Sequence, residues 1–301
     1  MLQPTTGCGN SKNDISHKAF RLTHCRHASL KLYTWKHGLV FMDLNISYTT
    51  DKKRLQNVIA TAAHLGYSTV AINYVVDLQQ KKQGIGNPKC VSELYDTFPV
   101  VQGKSRTIKV FNRLPVVASE HHTLPTAEYK AYDLVAVNPK TEKFSSCMTF
   151  DVDIICVAVT EKQPFFFKRS PVNGAIERGV FFEISYAPAI RDSTTRRYTI
   201  ANSISLVAMC KGKNVIVTSG AEKPLELRGP YDIGNLGLLF GLSEGDGKSA
   251  ISTNCRSVHL HGETRKTALG IVHTMKKDQP LRDRRMFQHQ RGLRLRQHSR
   301  K

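Results

Sequence analysis

Phe182-Glu183-Ile184-Ser185-Tyr186-Ala187-Pro188-Ala189-Ile190-Arg191-Asp192-Ser193-Thr194-Thr195-Arg196-Arg197-Tyr198 holds one strand-to-helix unit, and a fold can be read outward from it. A buried-strand pattern ends at Tyr186. A short loop follows, and Ser193 or Thr194 is placed to cap a helix carrying Arg196 and Arg197 in its first turn. Acidic residues suit that end of the helix dipole, so a basic pair there is locally unfavourable unless an anion answers it. Backbone N–H groups and two guanidinium groups at one helix start make a phosphate-binding site. A solvated helix end with two ordinary surface arginines is the plainer reading of the same residues.

The same alternation runs through the rest of the chain. Apolar strand-like runs stand at 40–45, 69–76, 108–114, 132–138, 152–159, 180–186 and 214–219. Helical patterns fill the gaps. Asp51 caps one over 52–65, with Leu55, Val58, Ile59 and Ala62 on one face and Gly66 as its stop. Others cover 199–210 and 231–242. Near-continuous apolar strands alternating with helices predict a parallel sheet covered on both faces. Seven or eight such units in this length fit a closed, TIM-like (β/α) barrel over residues 39–275 better than an open doubly wound sheet. No Gly-x-Gly-x-x-Gly loop follows the first strand, which counts against a dinucleotide-binding domain.

The formal net charge is +20 over 301 residues, and more than half of the excess sits in two terminal segments. Residues 1–38 carry six Lys or Arg against one acid, and residues 276–301 carry ten against two. Both extensions lack a hydrophobic period and are expected to be disordered without a partner. Such a distribution suits a polyanion, most simply nucleic acid contacted through phosphates. An anionic membrane surface is the competing partner, but neither extension shows an amphipathic stripe, and no run is long and apolar enough to span a bilayer. The N-terminus has no signal-like apolar region. The seven cysteines are scattered singly, several in apolar runs (Cys147, Cys156, Cys210), as reduced core thiols of an intracellular protein would be.

Several blocks in order then resemble one family. They include 61–68 (Thr-Ala-Ala-His-Leu-Gly-Tyr-Ser), 100–106 (Val-Val-Gln-Gly-Lys-Ser-Arg), 134–143, 165–169 (Phe-Phe-Phe-Lys-Arg), 186–198, 227–232 and 260–268. Over residues 39–277 they resemble the TIM-barrel, roughly 30-kDa protein subunit shared by ribonuclease P and ribonuclease MRP, in a vertebrate-like form. The resemblance implies a polymerase-and-histidinol-phosphatase-like barrel in a nuclear and nucleolar ribonucleoprotein that removes 5′ leaders from precursor tRNA. The sister particle processes ribosomal RNA precursors. It implies as partners ribonuclease P RNA, MRP RNA, precursor tRNA and sibling protein subunits. RNA resembles the catalyst, with magnesium serving the whole particle, and this chain is expected to bind no cofactor or metal and to catalyse nothing by itself. Residues 1–38 and the composition of 276–301 depart from the family pattern, as an alternative transcript or an imperfect gene model would.

The barrel also resembles, more distantly, the PHP-type metallophosphoesterases, and that resemblance implies a His-x-His metal pair on the first strand. The corresponding positions are Asp43 and Asn45, a poor set of ligands. Hydrogen bonding to neighbouring loops at the barrel rim is the alternative use for both. His64 falls at a helix end, His121-His122 in a loop. Cys8, His24, Cys25 and His27 match no compact zinc finger. Ser92, Ser193 and Ser219 lack the context of an activated nucleophile. The RNA-binding candidates are therefore basic: Lys104 and Arg106 beside Gly103, Lys168 and Arg169 after Phe165 to Phe167, Arg191 with Arg196 and Arg197, Lys211 and Lys213 around Gly212, and Arg265 with Lys266. The three phenylalanines serve as a stacking platform for bases or as packing, and any of the charge pairs as a solvated face.

Overall fold

A computed structural model describes residues 40–74, 88, 91–118, 129–139, 151–162 and 168–267. Both basic extensions, Phe165 to Phe167, His121-His122 and the cysteine–histidine group near the N-terminus lie outside the described residues.

Seven parallel strands pair in chain order: β1 (Met42–Ser47), β2 (Thr69–Asn73), β3 (Lys109–Ala118), β4 (Leu134–Pro139), β5 (Ile154–Cys156), β6 (Phe181–Ser185) and β7 (Val215–Thr218). The sheet curls until its ends meet. Ile46 bridges Ala221, and Gly220 N–H donates to Asn45 O at 2.9 Å, so the chain leaving β7 closes against β1. The TIM-like barrel expected from the sequence is the observed fold, with seven strands among the described residues.

Strand alternation divides the apolar side chains between two layers. Val70, Val135, Ile155, Phe182 and Val215 face outward onto helices. Met42, Leu44, Leu134, Ala136, Ile154 and Ile216 fill the lumen, which is a packed core, not a pore.

Helix α1 (Lys52–His64) covers the outside as read from sequence. The Asp51 side chain accepts from Arg54 N–H, and Gly66 at φ +93° supplies the left-handed turn behind its C-cap. Helix α2 (Arg169–Glu177) leads into β6, and α3 (Ala187–Arg191) leaves it. Helix α4 (Ser193–Cys210) follows, then α5 (Pro230–Leu239) and α6 (Glu244–Ala250). Helix α7 (Thr253–Lys266) plugs the end of the barrel where the strands begin. Its Asn254 donates to Val215 O, His259 stacks on Phe111, and Gly262 lies so close to Asp133 O that an added Cβ would approach to 2.5 Å. Among the described residues Cys156, Cys210 and Cys255 are free thiols, and Cys147 lies outside them.

Two local expectations are corrected. Residues 187–191 form a helical turn instead of a loop, because Pro188 in its first turn presets the backbone and Thr195 Oγ1 and Arg196 Nε cap the carbonyls of Pro188 and Ala189. The cap of α4 is Asp192, not Ser193 or Thr194. Its carboxylate accepts from Thr194 N–H and Thr195 N–H at 2.8 and 2.9 Å. The anion that the basic helix start calls for is thus supplied by the chain itself, and these N–H bonds hold the Asp192 carboxyl below the usual carboxylate range.

Candidate nucleic-acid interface

Parallel strands give the barrel two unlike ends, and the basic candidates divide between them. At the end where the strands finish are Lys168 and Arg169, opening α2, and Arg191, Arg196 and Arg197 after β6. Arg191 is committed to carboxylates. Its Nε and Nη2 make a two-pronged pair with Glu226 at 2.7 and 2.8 Å, and Nη1 reaches Glu222 at 3.1 Å. Burial alone would raise the Glu226 carboxyl, but Arg191 and two backbone N–H groups hold it at about 2. Arg196 spends Nε on the Ala189 carbonyl. Lys168, Arg169 and Arg197 are exposed.

At the opposite end, Arg265 is nearly buried against Asp153, which also takes His261 Nδ1 at 2.7 Å and Val135 N–H at 2.8 Å. Lys266 pairs with Asp133 at 2.8 Å and Glu263 at 3.1 Å. Both belong to the latch that holds α7 on the barrel. Lys211 and Lys213 are exposed around Gly212, Lys211 taking a left-handed φ of +54°.

Lys104 and Arg106 converge on one oxygen. Lys104 Nζ donates to Ser68 Oγ at 2.8 Å and Arg106 Nη2 to the same oxygen at 3.2 Å. Lys109, passed over in the sequence, opens β3 beside them, its N–H bonded to Ser68 O at 3.0 Å. Burial and then the Arg106 charge push both the Lys104 and Lys109 ammonium groups below their ordinary values. The sequence signal for Lys109 was its place three residues after Arg106, at the first position of a strand.

The lumen near the strand ends carries a different chemistry. Arg113 and Glu183 form a fully buried two-pronged pair at 2.6 and 2.5 Å, with Arg113 also donating to Leu44 O and Cys156 Sγ. Thr218 Oγ1 donates to Glu183 at 2.8 Å. Burial opposes both charges, but each holds the other ionised: Arg113 is pushed up and Glu183 down. Asp43 and Asn45 take the hydrogen-bonding role. Asp43 Oδ1 accepts from Ser219 N–H at 3.1 Å and Asn45 N–H at 3.2 Å, and Asn45 Nδ2 donates to Ser185 Oγ. Ser219 belongs to the loop that leaves β7, so the Asp43 bond ties β1 to a neighbouring loop as expected, and it helps close the β1–β7 seam. Among the described residues, no group of three or more His, Cys, Asp or Glu is placed to hold a metal ion. His64 is exposed at the end of α1, as expected.

Comparison with known proteins agrees with the barrel. A family model described as RNase P subunit p30 matches residues 40–267, essentially all of the described structure. The mouse ribonuclease P protein subunit p30 is 58% identical over 247 residues, covering 80% of this chain and 92% of that protein. A probable ribonuclease P protein subunit 3 of Schizosaccharomyces pombe is 31% identical, over 75% of this chain and 95% of its own length. The Saccharomyces cerevisiae ribonuclease P/MRP protein subunit RPP1 is 26% identical, over 75% and 82%. A chain in a cryo-EM structure of archaeal ribonuclease P with mature tRNA shares the fold at a TM-score of 0.57 and 12% identity, covering 79% of this chain and all of that one.

Proposed function

The chain belongs to the RNase P subunit p30 family, and on that premise we propose that it serves as a noncatalytic protein subunit of ribonuclease P, which removes 5′ leaders from precursor tRNA, and of ribonuclease MRP in ribosomal RNA processing. The observation that carries the reading is the extent of the match. The family model spans the barrel from β1 to the end of α7, and the mouse relative is matched over 92% of its length. The proposed setting is the nucleus and nucleolus, with ribonuclease P RNA, MRP RNA, precursor tRNA and sibling subunits as partners. Magnesium is assigned to the RNA of the particle.

The lumen supports the noncatalytic part. Where a barrel enzyme would gather groups for chemistry, Arg113 and Glu183 satisfy each other, and the Cys156 thiol is held protonated by burial. RNA contact is assigned to cations that stand exposed, Lys168, Arg169 and Arg197 at one end and Lys211 and Lys213 at the other. Arg191, Arg265 and Lys266 act first as ion-pair partners within the fold.

Affinity purification of the full chain from cells, followed by sequencing of bound RNA, tests the reading. Ribonuclease P and MRP RNAs should be enriched, with precursor-tRNA cleavage in the same fraction. Recovery of neither RNA would overturn it. The purified chain alone should hydrolyse no phosphodiester in the presence of divalent metal; activity that follows the chain through purification would revive a free-standing phosphoesterase.

A further inference from the structure

Helix α4 turns the wrong side chains outward for an ordinary surface helix. Thr199 and Ser203 are fully buried, and neither hydroxyl has a hydrogen-bond partner. Tyr198, Ala201, Ile204 and Ala208, three or four residues apart along the outside, are exposed. The chain leaving α5 continues this face. Gly241, at φ +87°, packs against α4, where an added Cβ would stand 3.7 Å from Ile204 Cα, and its N–H bonds Leu238 O at 3.1 Å. Tyr198, Ile204, Leu238 and Leu239 are between 39% and 58% exposed, four of the seven large apolar side chains that stand exposed among the described residues. On another flank of α4, Asn202 Nδ2 donates to Val159 O at 3.0 Å and Glu161 O at 2.7 Å, so the helix is held on both sides.

Charge is missing from the same surface. Residues 198–210 and 233–243 contain no Asp, Glu, Lys or Arg, in a chain whose residues are 23% charged. On α4 the cations stand at the two ends, Arg196 and Arg197 in its first turn and Lys211 and Lys213 just past its last. RNA held through phosphates would find no cation over the middle. A second copy of this chain is also ill matched. Antiparallel pairing of two α4 helices sets Arg196 and Arg197 against Lys211 and Lys213, and parallel pairing sets each cation on its own counterpart. The face matches a different protein whose own contact surface is apolar and uncharged at its centre, because a charge brought there would be buried without a partner. Apolar side chains without charge make up the centre of such interfaces.

We propose that the outer face of α4, with the end of α5, docks another protein subunit of the particle through a surface that is apolar and uncharged at its centre. The proposal rests on the RNA-subunit reading and adds to it the side of the barrel that a sibling subunit covers. Arg197, Lys211 and Lys213, assigned above to RNA, border this face. Protein and RNA therefore meet along one helix, phosphates at its ends and apolar side chains between them. Covering Ile204, Leu238 and Leu239 takes their apolar surface out of water, which drives the association.

The test uses the full chain assembled in cells and recovered through ribonuclease P RNA with an antisense oligonucleotide. Ala201 is replaced by the photoreactive amino acid p-benzoylphenylalanine, and Leu225, 86% exposed on the loop before α5, is replaced likewise as a control. Irradiation should join position 201, and not position 225, to one other protein that itself co-purifies with ribonuclease P RNA. I204E/L239E should then lower recovery of that protein with the chain at least about tenfold once the RNA has been digested, a loss that L225E should not share. Thermal midpoints close to that of the wild type show that the variants are folded. Should I204E/L239E fail to fold, the adduct at position 201 decides by itself. An adduct to RNA, to this chain itself or to a protein that does not travel with ribonuclease P RNA overturns the proposal. So does full recovery of the joined protein with folded I204E/L239E, or an equal loss with L225E. If ribonuclease P RNA brings down the wild type but position 201 joins no protein, this proposal falls alone. If that RNA does not bring down the wild type, the RNA-subunit reading falls and takes this proposal with it.

Discussion

Asp43 carries a carboxyl group that burial pushes up to about 6 from its ordinary 3.8, and its Oδ2 has no hydrogen-bond partner. The folded value lies above the unfolded one, so the folded state holds the proton more tightly. The stability this contributes is fully present below about 3.8 and is lost as the pH rises through about 6. At pH 7.5 the ionised group opposes folding by up to roughly 3 kcal/mol. Asp43→Asn keeps an oxygen for the Ser219 and Asn45 N–H groups and carries no charge. It should melt a few degrees higher than wild type at pH 7.5, with the difference closing toward pH 4, in thermal scans across that range. Precursor-tRNA cleavage by particles reconstituted with the variant should stay within a few-fold of wild type; a collapse of the cleavage step with assembly intact would assign Asp43 to the chemistry. Arg113 makes the opposite prediction. Arg113→Met strands the Glu183 charge in the lumen and should cost about 3–5 kcal/mol in denaturant unfolding, whereas Arg113→Met with Glu183→Leu should recover most of it.

Helix α7 holds two histidines whose shifts oppose each other. His261 is raised, first by its hydrogen bond to Asp153, so its contribution is present below about 6.5 and lost as the pH rises through its higher folded value. His259 is lowered by burial, so its contribution is present above about 6.5 and lost as the pH falls through its folded value. His261→Gln should therefore flatten the fall in melting temperature from pH 6 to pH 8, leaving Asp153 to Arg265. Gly262→Ala should destabilise by about 1–3 kcal/mol, despite alanine's better helix propensity, because the Asp133 carbonyl occupies the space. The plug itself was hard to see in the sequence. Residues 253–266 are polar over much of their length, and α7 buries only Cys255, Val258, Gly262 and Glu263 fully, too few for a helical stripe to stand out. The strands were legible because burial on both faces leaves near-continuous apolar runs such as 134–137 and 215–217. The interface was less so. A basic residue reads alike whether it faces solvent, as Arg197 does, or a carboxylate from a distant segment, as Arg191 meets Glu226 and Arg265 meets Asp153. The Asp192 cap was one residue from the expected position, and nothing local distinguished three adjacent capping residue types.

On the scale of the whole molecule, each strand pairs with its neighbours in sequence except at one place, where β1 meets the chain beyond β7. Bonds across that seam join residues far apart in the chain, Asp43 to Ser219 and Asn45 to Gly220, and α7 must then reach back to Met42 and Val215. A chain ending at residue 252 should lose cooperative thermal unfolding and bind a hydrophobic dye, because the lumen cluster loses Cys255 and Val258. That seam also sets a timetable for synthesis. The first strand leaves the ribosome well before its second partner exists, and at about 5–20 residues per second the wait is on the order of ten seconds or more. Through that interval β1 has an open edge, the condition that invites wrong pairing and chaperone capture. Slowing translation between residues 74 and 214 should lower the yield of folded protein more than slowing it after residue 267, since only the earlier pause prolongs the life of the open barrel.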